Sequence, residues 1–187
     1  MSAILPVFLI ALLPAVAQAQ NNQASHKVNI EIPEVALLGL VSEDAGQVNL
    51  NVSAPAEAGN TIDFSTAHPG NRFWINYSSI IRSQHHRRKV IAVVQGDIPT
   101  GVRLFVEASQ ATGQGNGKLG QPVGRVALSG QPADVISDIG SCYTGVGISN
   151  GHVLTYRLEA DETGESLESL AQQQASLQVV YTLTDHN

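Results

Sequence analysis

The chain has 187 residues and a formal net charge of −6, from 10 Lys and Arg against 16 Asp and Glu. That mild acidity excludes a broad nucleic-acid surface, which needs dense positive charge to displace counterions from phosphates. The single cysteine, Cys142, excludes an intramolecular disulfide, so any fold must be held by its apolar core.

The N-terminus is the first distinctive segment. Residues 1–19 carry no charged side chain, Ile4 to Leu13 is apolar but for Pro6, and Ala17-Gln18-Ala19 supplies a small-x-small pattern. A run this short falls below the roughly 20 residues needed to span a bilayer. It predicts an export signal over residues 1–19, cleaved near Ala19, although the usual basic residue before the apolar run is missing. The mature chain, residues 20–187, then reads as a single domain without a membrane span.

Strand patterns dominate the mature chain. Val28, Ile30 and Ile32 alternate with Asn29 and Glu31, and Val48, Leu50 and Val52 alternate with Asn49 and Asn51. Phe73, Ile75 and Tyr77 repeat the pattern. Val90 to Val94 is nearly continuous and predicts a strand covered on both faces. Val102, Leu104 and Val106 alternate with Arg103, Phe105 and Glu107. Val123 to Leu128, Val153 to Ala160 and Leu177 to Thr184 complete the series. Turn residues separate these runs, among them His68-Pro69-Gly70-Asn71, Asp97 to Gly101 and Gly113 to Gly120. Many short strands at such intervals predict an all-β antiparallel sandwich. The one helical pattern, Glu165 to Gln174, could equally be a polar loop.

Few motifs carry chemistry. Gly147-Ile148-Ser149-Asn150-Gly151 matches the letters of a hydrolase nucleophile elbow, but the residues after it alternate as a strand instead of opening a helix. Gly113 to Leu119 lacks both the spacing and the Ser or Thr of a phosphate loop, and reads as a flexible connection. Arg82, His85, His86, Arg87, Arg88 and Lys89 concentrate positive charge between two strands and predict an exposed hairpin tip able to meet an anionic ligand. Adjacent histidines on extended chain point to opposite faces, so His85 and His86 alone make a poor chelate. Cys142 reads as a buried, inert thiol beside Tyr143. The acidic stretch from Asp161 to Glu168 lacks the order of a calcium loop. No catalytic residue, cofactor or metal site is expected.

The chain also resembles a known group. A strand pattern at Val28 to Ile32 follows the predicted cleavage site after a short polar tail, and Gln178 to Thr184 ends the chain in another. This layout resembles the exported β-sandwich subunits of bacterial surface fibres, pilins of the chaperone–usher and spore-coat-U-like kind. Ile32 to Leu38 and the Gly140-Ser141-Cys142-Tyr143-Thr144-Gly145 box are similar to segments of other exported bacterial proteins. Paired cysteines, typical of pilins, are missing. The resemblance implies an immunoglobulin-like or pilin-like sandwich at the cell surface, in the periplasm or secreted, with a structural or adhesive role. It further implies that Val28, Ile30 and Ile32 are a strand exchanged with another copy or with a chaperone or assembly protein. The alternative is a soluble binding module for an anionic glycan, working through residues 82–89.

Overall fold

The computed structural model describes residues 23–43, 46–67, 69–70, 72–161 and 174–186. The chain forms two units, Met1–Ile32 and Pro33–Asn187. The predicted export signal lies outside the described residues, as does the helical pattern over 165–174 apart from Gln174.

In the first unit, residues 23–32 are all exposed and belong to no strand. The strand predicted at Val28–Ile32 is therefore not formed. An alternation of apolar and polar side chains specifies two faces, but a strand also needs a neighbour to accept its backbone hydrogen bonds.

The second unit is built from antiparallel strands. In chain order they are β1 (Val35–Ser42), β2 (Phe73–Ile80), β3 (Arg88–Gln95), β4 (Val102–Ala108), β5 (Asn116–Gly117) and β6 (Gln121–Pro122). There follow β7 (Arg125–Ala127), β8 (Ala133–Ile139), β9 (Cys142–Tyr143), β10 (His152–Ala160) and β11 (Gln178–Asp185). A short 3₁₀ turn covers Phe64–Thr66. One sheet runs β5-β9-β2-β10-β4-β7, with β1 paired along the whole of β2. Since β1 takes one side of β2, β9 and β10 share the other. The second sheet runs β11-β3-β8-β6.

The two sheets enclose a common core, the arrangement of a β-sandwich. Phe73, Ile75 and Tyr77 of β2, Leu104 and Val106 of β4, and Leu154 and Tyr156 of β10 meet Val90, Ala92 and Val94 of β3 and Val135, Ile136 and Ile139 of β8. Burial on β3 alternates strictly, with Ile91 and Val93 only half-buried, so the strand is covered on one face and not on both as expected. Val48 and Leu50 pack against this core, yet their segment joins no ladder, and the strand predicted there is also not formed.

The core thins on one side. Register places Leu38 and Leu40 on the same face as Tyr77 and Ile75, and Val179, Tyr181 and Leu183 on the same face as Val94, Ala92 and Val90. Ile75 and Ala92 are wholly buried, whereas inward-facing Leu40 is 47% exposed. β1 and β11, each laddered with a single strand among the described residues, approach one another here across the layer. Tyr156 and Tyr181 bridge the sheets through a 2.8 Å hydroxyl–hydroxyl hydrogen bond.

Candidate functional site

The basic segment departs from its predicted form. β2 and β3 belong to different sheets, so residues 81–87 cross between layers instead of closing a hairpin. Their charges are largely matched by carboxylates. Arg82 lies 3.5 Å from Glu34, Arg87 lies 2.9 Å from Asp138, and Lys89 lies 3.0 Å from Asp134. Asp138 is held below the usual carboxylate range, chiefly by a hydrogen bond from Lys118. His85 and His86 are exposed and line a shallow cleft together with His186, Asp138 and Asp185. Among the described residues no group of three or more His, Cys, Asp or Glu is placed to hold a metal ion.

Arg88 stands apart from its neighbours. Counting back by twos from Val94, Ala92 and Val90 puts position 88 on the inner face, and its side chain is only 5% exposed. Its guanidinium reaches Glu34 at 2.5 Å and Asp185 at 3.3 Å. It also donates to the carbonyls of Val35 and Ile80 and, at 3.2 Å, to the Ser79 hydroxyl. A planar fork of five N–H groups can serve this many acceptors. Of the predicted ligand residues, Arg88 is therefore committed to holding β1, β2, β3 and β11 together.

A second buried polar cluster escaped sequence reasoning. His152 is fully buried at the start of β10 and stacks on Tyr77 of β2, with ring centroids 5.6 Å apart. Its Nδ1 lies 2.7 Å from the carbonyl oxygen of Ser109, which can only accept, so Nδ1 carries the proton. Nε2 then accepts from the Tyr77 hydroxyl at 2.8 Å, and that hydroxyl accepts from the Gly120 N–H at 3.0 Å. Burial pushes the His152 imidazole below its ordinary pKa and the Tyr77 phenol above its own. Both groups are neutral and fully bonded.

The glycine-rich loops pack around this cluster. β5 pairs with β9, and Gly117, in the left-handed region at φ 92°, has no room for a Cβ against the Ser141 carbonyl. The segment predicted as a flexible connection is thus tightly seated. Asn150 accepts from the Gln114 N–H and donates to the carbonyls of Val146 and Ile148, while Asn76 donates to the Asn150 carbonyl and accepts from the Gly147 N–H. Ser149 sits exposed in this turn with φ 66°, and β10 follows it directly. Cys142 is buried in β9, and burial pushes its thiol up to about 11. Its burial matches the expectation.

The residues predicted for strand exchange belong to the first unit. Val28, Ile30 and Ile32 are 65%, 83% and 73% exposed. Isolated apolar side chains are common at protein surfaces; these three recur at every second position. No family model, curated protein or solved structure matches the chain. Among the described residues no helix is long and apolar enough to cross a membrane.

Proposed function

We propose that the protein is a non-catalytic, exported structural or adhesive cell-surface protein whose copies associate by β-strand addition. The observation that carries this reading is the segment Val28–Ile32. Its three apolar side chains recur at the spacing of a strand face, stand 65–83% exposed, and join no ladder among the described residues. Support for a receiving edge comes from the second unit, where among the described residues β1 ladders with β2 alone and β11 with β3 alone, on the side where inward-facing Leu40 is exposed. In strand addition the backbone ladder provides affinity, and alternate side chains fill pockets in the receiving sandwich. This agrees with the pilin-like, immunoglobulin-like resemblance of the layout and with an export signal over residues 1–19. An exchanged strand would come from another copy or be answered by an assembly chaperone.

The test is Ile30→Asp in the mature chain. The side chain is 83% exposed, so the substitution leaves the melting temperature of the second unit unchanged. Oligomers or fibres formed by the wild type, seen by light scattering and electron microscopy, should be lost. A wild type that stays monomeric at high concentration, or a variant that still assembles, refutes the reading.

A further inference from the structure

The outer face of the larger sheet carries a second concentration of arginines, assembled from strands far apart in sequence. Register sets Arg157 of β10 directly beside Phe105 of β4, with Ala127 of β7 on the other side. Arg103 stands one step along β4 on the same face. Phe105 points outward yet is only 5% exposed, because two guanidiniums cover its ring: Arg103 at 5.0 Å and Arg125 at 4.7 Å from the centroid. Such stacking orients a guanidinium while leaving its N–H edge free for an anion.

Beside this cluster lies a cleft of about 500 Å³, between the 3₁₀ turn and β10. Arg125 and Arg157 line it together with Phe64, Ser65, Asp63 and Glu159. Its size falls in the usual range for small-ligand sites. The charges inside it are unequally engaged. Arg125 is paired with Glu159, and Asp63 is occupied in capping the turn through the Ser65 N–H and hydroxyl. Arg157 has no hydrogen bond or ion pair among the described residues. Among the described residues, six of the ten Lys and Arg are paired with carboxylates: Arg82, Arg87, Arg88, Lys89, Lys118 and Arg125. Two of the remaining four, Arg103 and Arg157, share this face.

We infer that the cleft between the Phe64–Thr66 turn and β10 is a binding site for an acidic saccharide, with Arg157 taking the carboxylate or sulfate of the sugar. The fork geometry of a free guanidinium suits either anion through two parallel N–H bonds. The second carboxylate oxygens of Glu159 and Asp63, which make none of these bonds, offer acceptors for sugar hydroxyls, which a bare inorganic anion cannot use. Phe64, half-buried on the wall, provides an apolar surface for the ring carbons. The site is separate from the 82–89 segment and does not depend on whether copies of the chain assemble.

Titration calorimetry on the mature chain tests this with a sulfated heparin disaccharide, a galacturonate disaccharide, neutral maltose and inorganic sulfate. At least one acidic disaccharide should bind saturably, and more tightly than maltose or sulfate. Arg157→Gln should weaken it by about tenfold or more, as loss of a bidentate charged contact does, without lowering the melting temperature. Arg87→Gln, in the basic crossover, should change binding less than twofold. Several outcomes overturn the inference: no binding of either acidic disaccharide, sulfate or maltose binding as tightly as they do, or an Arg157→Gln variant of unaltered affinity. A larger loss in Arg87→Gln than in Arg157→Gln also overturns it and returns the site to the crossover.

Discussion

Replacing Arg88 by Met separates a structural arginine from the surface arginines around it. Methionine keeps the apolar stem that lines the interior beside Val90, but removes every donor. Glu34 and Asp185 have side chains 36% and 53% exposed, so water takes over their solvation and their release adds little. The loss falls on the neutral acceptors: the Val35 and Ile80 carbonyls and the wholly buried Ser79 hydroxyl. Leaving a buried polar group without its partner costs about 1–3 kcal/mol. The wholly buried Ser79 hydroxyl and the two part-buried carbonyls, at about 1 kcal/mol each, predict a loss of about 3 kcal/mol. For a unit of this size that is a fall of roughly 6–12 °C in melting temperature. Arg87→Met, which breaks an ion pair with the exposed carboxylate of Asp138, should cost under about 1 kcal/mol. Urea unfolding of both variants, followed by far-ultraviolet circular dichroism, gives the comparison directly. Equal losses, or a smaller loss for Arg88→Met, would show that the guanidinium does not hold the strands together.

Two further outcomes concern the buried side chains. His152 is neutral in the fold with its pKa depressed, so below about pH 6.5 the unfolded chain binds a proton that the folded one refuses. Stability should fall as the pH is lowered from about 7.5 to 5, and His152→Gln should flatten that slope in urea midpoints; a parallel slope in the variant would place the titration elsewhere. Cys142, with its thiol raised to about 11 and shielded in β9, should resist iodoacetamide near pH 8 and react once urea is added, as counted by intact mass. Equal rates with and without urea would contradict its burial.

Legible in the sequence are β2, β4, β10 and β11, which alternate apolar side chains along one face, and β3 and β7, which fall within the apolar runs Val90–Val94 and Val123–Leu128. β1 was hidden because Val35, Leu37 and Val41 are as apolar as inward-facing Leu38 and Leu40, so a run with no polar face shows no period of two. β8 was hidden for the opposite reason. Its Asp134 and Asp138 interrupt the apolar pattern, answering Lys89 and Arg87, and bulges break its register with β3. Val28–Ile32 and Val48–Val52 alternate as well as any strand but lack a ladder, because periodicity describes side chains and pairing belongs to the backbone. The inward position of Arg88 was readable from the same alternation that buries Val90. Arg103 and Phe105 likewise sit two apart on one strand. Only the register of β10 and β7 brings Arg157 and Arg125 beside them, and only the fold brings His152 to Tyr77 across 75 positions.

The carboxylate partners of Arg88 are Glu34, just ahead of the first strand, and Asp185, the last residue of β11. The two carboxylates that meet this inner-face guanidinium therefore come from opposite ends of the second unit. A product cut short before β11 keeps the Glu34 contact of Arg88 but loses the Asp185 one, together with the whole β3–β11 ladder.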